Sequence, residues 1–202
     1  MPQKYAIKQL EPESYCHIFI EGAGGQAIFR DQADYQYFIS LFSRYLDRTI
    51  NRRDLGRAYP HYWRDIELAA YALMTRQLHI VAYIRQPDAL QALMRSLLTS
   101  YARYFNRRHK RSGAVFSSRY KARIIPAEYV PAVSRFVHRS PRNWQTYRHS
   151  SLAFFIDTSP PGWLAPRHVA GYFATPYAYA SYMEHDAEAG EWRAALKEQL
   201  AI

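Results

Sequence analysis

The sequence predicts an α+β fold: an antiparallel sheet with helices on one or both faces, and a C-terminal helical extension after it. Three observations carry this. Short β-branched and aromatic runs alternate with segments whose apolar residues recur at three- and four-residue spacing, in the order β-α-β-β-α-β-α. Two of the runs stand so close together that an antiparallel hairpin is the natural connection. The 202 residues are 49% apolar and 22% charged, enough for one proper core and too apolar for a disordered chain.

Residues 15–21 (YCHIFIE) read as a strand that runs into a turn at Gly22, Gly24 and Gly25. Asp31 is placed to cap the next helix, where Tyr35, Phe38, Leu41, Phe42, Tyr45 and Leu46 share one face. Residues 48–65 are polar and read as loop. The runs 67–74 (ELAAYALM) and 78–84 (LHIVAYI), split by Thr75, Arg76 and Gln77, form the hairpin. Pro87 opens a long helix with a stripe of Leu90, Leu93, Leu97, Tyr101 and Tyr104; both tyrosines read first as core. Gly113 ends that segment, 115–125 reads as extended, and 129–139 as helical after Pro126. Beyond Pro141 the pattern weakens through Pro160, Pro161, Gly162 and Pro166, and 188–200 reads as a terminal helix. The division that follows is a domain over 1–155 and an extension over 156–202 that ends in an acidic helix.

The formal net charge is +10, and its distribution is uneven. Residues 101–150 hold twelve Lys and Arg against the single acid Glu128, so this quarter of the chain carries the whole excess. The tail from 176 to 202 sets five acids against two bases. A basic stretch of that length points to a polyanion. Cys16 is alone, which forbids an internal disulfide and fits a reducing compartment. No run approaches membrane-spanning length and the first twelve residues carry no apolar leader, so a cytoplasmic protein without a membrane partner is expected.

Five stretches, in register, resemble one family. They are YCHIFIEGAGGQAIFRDQADYQYF (15–38), AYALMTRQLHIVAYI (70–84), YARYFNRRHKRSGAVFSSRYKARII (101–125), YVPAVSRFVHRSPRN (129–143) and YRHSSLAFF (147–155). Together they resemble the single-tyrosine HUH transposases, especially the REP-associated branch. The resemblance implies a ferredoxin-like HUH fold. It also implies two histidines on one strand that hold a divalent metal, a helical tyrosine that attacks the scissile phosphate, and an amide one turn further on.

Carried over residue by residue, the centre departs at each of these. The metal pair falls on Gln77 and His79, the nucleophile on Phe136, and the helical amide on Ser140. Gln77 still offers a carbonyl oxygen, but Phe136 has no hydroxyl. Tyr129, seven residues earlier, is about 10 Å away along a helix axis, and Tyr147 would have to fold back. A Mg2+ or Mn2+ ion is expected only with residual cleavage; otherwise no cofactor is expected.

What the sequence retains is basic: Arg103, Arg107, Arg108, Lys110 and Arg111 at the end of the long helix, then Arg119, Lys121 and Arg123 alternating on one strand face, then Arg139 and Arg142. The reading is a transposase-like protein that binds single-stranded or hairpin DNA with its nicking centre lost. RNA stays open as a ligand, and a homodimer is an arrangement the family uses. Two alternatives stand beside it: an active nickase with a relocated nucleophile, and a basic interaction protein that meets an acidic partner.

Overall fold

The computed structural model describes residues 11–48, 59–117 and 120–185. Strand β1 (Ser14–Glu21) leads through a glycine turn to helix α1 (Gln32–Leu46). The Asp31 carboxylate caps α1 by accepting from the Ala33 and Asp34 amides, as its place in the sequence predicts. Strands β2 (Ile66–Met74) and β3 (Gln77–Ile84) form the hairpin, and α2 (Pro87–Arg108) starts with its proline in the first turn. Strand β4 (Lys121–Ile125) and helix α3 (Val130–Arg139) follow. Short helices α4 (Ala153–Ile156) and α5 (Arg167–Ala170) precede α6 (Pro176–Glu184). The helix predicted over 188–200 lies outside the described residues.

The sheet order is β2-β3-β1-β4, with every neighbouring pair antiparallel. Two split β-α-β units therefore interlock, the ferredoxin-like topology. The alternation of β1 explains the layering. Cys16, Ile18 and Ile20 face one side and meet Leu78, Ile80, Ala82 and Ile84 of β3, under α1 and α2. Phe38, Leu41, Phe42, Leu93, Leu97 and Tyr101 fill that layer, and the Tyr101 hydroxyl donates to the Ile28 carbonyl. Tyr104 lies at its edge, half-buried and stacked on Tyr37 at 3.7 Å.

Strand β2 needs a correction of phase to serve this layer. Its run of apolar residues does not alternate, and a bulge between Leu68 and Ala70 restores the register, so Leu68 and Tyr71 both reach the first core. The three alanines, Ala69, Ala70 and Ala72, sit on the far face, beneath α3.

Two local expectations shift. Gln77 belongs to β3, not to the connection, because Thr75 and Arg76 alone make the turn. Regular strand also covers only the end of 115–125. The cause is the glycine turn: Gln26 Nε2 donates to the carbonyls of Ala114 and Val115, and Ser117 N–H donates to Glu21 O. Before β4, the described residues of that segment spend hydrogen bonds on the turn and keep one bridge, Phe116 to Gly22.

The second face of the sheet is covered by α3, α4, α5 and α6, with Val130, Val133, Val137, Phe155, Val169 and Met183 buried there. A polar chain runs through it. His138, fully buried on α3, meets the Ser151 hydroxyl at Nε2 and the Tyr179 hydroxyl at Nδ1, both at 2.7 Å. Ser151 accepts in turn from the Tyr71 amide at 2.8 Å, so sheet, α3 and α6 share one network. Replacing His138 by Ala empties the centre and takes one partner from each of two buried hydroxyls, which keep Tyr71 and Ser134; a loss of about 2–4 kcal/mol is expected. Urea denaturation of His138→Ala against the natural chain measures it, and a loss below about 1 kcal/mol, the size of one ordinary hydrogen bond, would refute the network's role.

Candidate functional site

The residues aligned with the transposase centre lie on the second face of the sheet. Tyr15, His17 and Phe19 of β1 share that face with Gln77, His79 and Tyr83 of β3 and with Lys121 and Arg123 of β4, since paired residues Phe19↔His79, Phe19↔Lys121 and His17↔Arg123 point the same way. His79 does not stand free. Its Nδ1 lies 3.0 Å from Nε2 of His17, and the two rings stack at 5.1 Å, both 1% exposed. Phe136 comes down from α3 with its ring perpendicular to both, 5.4 Å from His79 and 6.0 Å from His17.

Burial pushes the His17 imidazole down to about 3 and holds His79 well below its usual range, with His17 adding to the latter effect. Both are neutral at neutral pH. The buried His17 Nδ1 has no hydrogen-bond partner among the described residues. A bare lone pair costs less there than a stranded N–H, so His17 is the donor and His79 the acceptor.

The other aligned positions are equally occupied. Ser140 caps α3, and its hydroxyl donates to the Phe136 carbonyl at 2.8 Å. Gln77 is half-buried, with Nε2 3.9 Å from the Met74 sulfur. Among the described residues no three His, Cys, Asp or Glu side chains cluster as metal ligands would. Of the tyrosines weighed as replacements, Tyr129 is 48% exposed ahead of α3, and Tyr147 donates to the Leu73 carbonyl at 2.6 Å while burial raises its pKa.

The predicted basic residues fall into two groups. Arg103, Arg107 and Lys110 are exposed at the end of α2, and Arg111 lies over the Phe105 ring. Arg108 instead clamps the start of α1, with Asp31 and Asp34 each at 2.8 Å. His109 contacts the same Asp34 at 2.9 Å, so an acid from α1 answers a histidine that the sequence places only among bases. On the second face, Lys121 sits 5.6 Å over the Phe19 ring, beside half-buried Arg123. Tyr120, next to Lys121 in the chain, packs instead on the first core. Arg142 is exposed, and Arg119 lies outside the described residues. Arg139 Nη1 donates to the Met183 carbonyl at 3.4 Å, and the guanidinium lies over Trp144. Arg135, counted in the basic stretch, donates to the Tyr182 and His185 carbonyls. Together the two arginines fasten the end of α6 to α3.

Sequence reasoning missed His17 as part of this site. Its parity with Tyr15 and Phe19 was visible, but its meeting with His79 depends on cross-strand register. It also missed a chain at the strands' other end. The Tyr15 hydroxyl lies 3.1 Å from His168 Nδ1, His168 Nε2 contacts Glu67, and Arg85 and Arg167 pair with the same carboxylate. Burial raises the Tyr15 pKa and lowers that of His168. Burial alone would raise Glu67 too, but hydrogen bonds from Arg85 and His168 leave it lowered.

The arrangement defines a ferredoxin-like sheet with one helical layer on each face. Its fold is similar to that of a REP-associated tyrosine transposase solved bound to a REP hairpin: TM-score 0.52, 11% identity, 75% of this chain and 82% of that one covered. A bacterial tRNA(His) guanylyltransferase-like protein in complex with GTP is more distant, at TM-score 0.40 and 12% identity over 64% of this chain and 63% of that one. No family model and no curated protein sequence matches the chain. No helix among the described residues is long and apolar enough to cross a membrane.

Buried neutral histidines make stability depend on acid in a defined direction. Unfolded imidazoles take up protons near 6.5, whereas folded His17 and His138 do so only near 3. Stability is thus complete above pH 7 and declines as pH falls through 6.5 toward 3, by about 1–2 kcal/mol for each such histidine at pH 5. Denaturant midpoints at pH 7.5 and 5.0 read this directly, and equal midpoints would contradict it.

Proposed function

We propose that this chain is a transposase-like DNA-binding protein that recognises single-stranded or hairpin DNA and has lost the nicking centre of its relatives. The observation that carries the reading is the closed stack of Phe136 on His17 and His79. A nucleophile position without a hydroxyl covers an imidazole already hydrogen-bonded to its neighbour. A hard divalent ion prefers several oxygen ligands. The aligned residues offer one amide oxygen from Gln77 and an imidazole engaged elsewhere, which do not fit Mg2+ or Mn2+.

Binding needs none of this. Exposed Arg103, Arg107, Lys110 and Arg142 are available to neutralise phosphates, and Lys121 and Arg123 put charge beside the closed centre. The transposase with the same fold is the one solved with a REP hairpin, which favours a hairpin as the first ligand to try.

A second reading has one specific observation behind it. Tyr15 is a partly exposed tyrosine whose hydroxyl meets an imidazole that is oriented by a carboxylate. Neutral His168 would take the phenol proton at Nδ1 while the phenolate oxygen attacks phosphorus; one ester P–O bond of the strand breaks, its oxygen leaves with the freed strand end, and the other strand end stays on the protein as a phosphotyrosine.

A denaturing gel of labelled hairpins with the purified protein, with and without Mn2+, decides between them, alongside a native gel for binding. The expected result is a retarded complex with no cut strand and no covalent adduct. With about six phosphate contacts, affinity should fall about 1,000-fold between 50 and 200 mM salt. The joint variant Gln77→His, Phe136→Tyr, Ser140→Asn should gain adduct formation if these positions alone were lost. Cleavage by the natural protein would overturn the proposal, and its loss in Tyr15→Phe would transfer the chemistry to Tyr15. A shallow salt response without nucleic-acid binding would favour an acidic protein partner.

A further inference from the structure

A cavity of about 480 Å3 lies at the end of the sheet remote from Gln77. It opens between the end of α1, the first residues of β2 and the loop that leads into α5. Arg85, on its wall, follows Gln77 by eight residues along β3, about 26 Å at strand rise. The cavity is therefore separate from the closed histidine centre, and none of its residues belongs to the basic stretch between 101 and 150.

Its wall holds four guanidiniums, of Arg48, Arg64, Arg85 and Arg167, against the Glu67 carboxylate. Glu67 fixes two of them: Arg85 Nη2 is 2.8 Å from one oxygen, and Arg167 and His168 meet the other. That carboxylate is 12% exposed, while the Arg85 and Arg167 side chains are 42% and 52% exposed. The acid is thus enclosed behind its arginines, whose remaining N–H groups are left for something else. Arg48 and Arg64 form no ion pair with a described residue. Two indoles complete the wall. Trp163 is seated against Phe42 and Tyr71, and Trp63 is half-buried with Arg64 over its ring. Gly162 seats the loop, because a Cβ there would stand 2.7 Å from the Asp47 carboxylate oxygen.

The geometry points to a binding site for a nucleotide phosphate, with the arginine cluster on the phosphate and Trp63 available to the base. Guanidinium forks bind phosphate through paired charge-assisted hydrogen bonds, and an indole face accepts any base. The volume suits one nucleotide, toward the lower end of the usual range for small-molecule sites. The same chemistry has two sources: a free mononucleotide, or the phosphorylated end of a strand held elsewhere on the protein. Only the second rests on the DNA-binding reading above.

Calorimetric titration of the full chain with dAMP, with deoxyadenosine, and with a trinucleotide carrying or lacking a 5′-phosphate tests this. Saturable binding of dAMP is expected, with deoxyadenosine at least tenfold weaker and Trp fluorescence quenched on binding. Arg48→Gln with Arg64→Gln leaves the Glu67 cluster intact and should weaken dAMP at least tenfold without moving the melting temperature. A trinucleotide that gains tenfold or more from its 5′-phosphate, and loses it in that variant, identifies the strand end; equal affinity with dAMP identifies the free nucleotide. No saturation at millimolar dAMP, equal binding of the nucleoside, or an unchanged Kd in the variant overturns the site. Hairpin retardation by Arg103→Glu with Arg107→Glu is scored separately, so failure of the DNA-binding reading leaves a distinct result.

Discussion

The bond between His17 and His79 holds a place that the topology makes difficult. β1 and β3 are central strands, and helices cover both of their faces, so the buried residues on them must find their partners inside the protein. Two imidazoles on that second face cannot keep water. By bonding to each other they satisfy one donor and one acceptor, and by staying neutral they avoid the larger cost of a buried charge. Phe136 then needs only to be apolar to close the layer. A tyrosine there would bring a hydroxyl that needs its own partner in the same apolar contact.

The remainder of that layer follows a similar rule. Among the described residues it is held by fewer large apolar side chains than the first face, and polar links join its elements. The His138 chain joins sheet to helices, Arg135 and Arg139 bind the end of α6, and Glu67 gathers Arg85, Arg167 and His168. Polar links are directional where apolar contact is not. They fix α3 and α6 in register over a sheet face whose small alanines would otherwise let the helices slide. Trp163 crosses to the first core, so chain beyond residue 155 contributes to both layers.

The first layer was legible in the sequence because periodicity encodes it. The strand over residues 15–21, the stripe of α2 and the Asp31 cap are all local patterns, and each has its predicted place. The bulge in β2 was not legible, since a run of apolar residues has no phase to read. Nor were the contacts of His17 with His79, or of Glu67 with Arg167 a hundred residues away, which exist only once register and topology are fixed. The basic stretch shows the same limit. Its charge was plain, but only packing separates exposed Arg107 from Arg108, whose ion pairs serve the start of α1.

Charge count alone therefore overstates how much of a basic segment is available to a ligand. Of the arginines between 101 and 150, those at 108, 135 and 139 already meet carboxylates or helix-end carbonyls. The cavity walled by Arg48, Arg64, Arg85 and Arg167 shows the converse, because these residues are scattered in sequence and none lies between 101 and 150. There the fold concentrates charge that composition leaves dilute, and a single enclosed carboxylate holds two of the guanidiniums in place. A phosphate senses the local field and the donors already aimed at it, and these are set by which side chains have been neutralised by the fold itself.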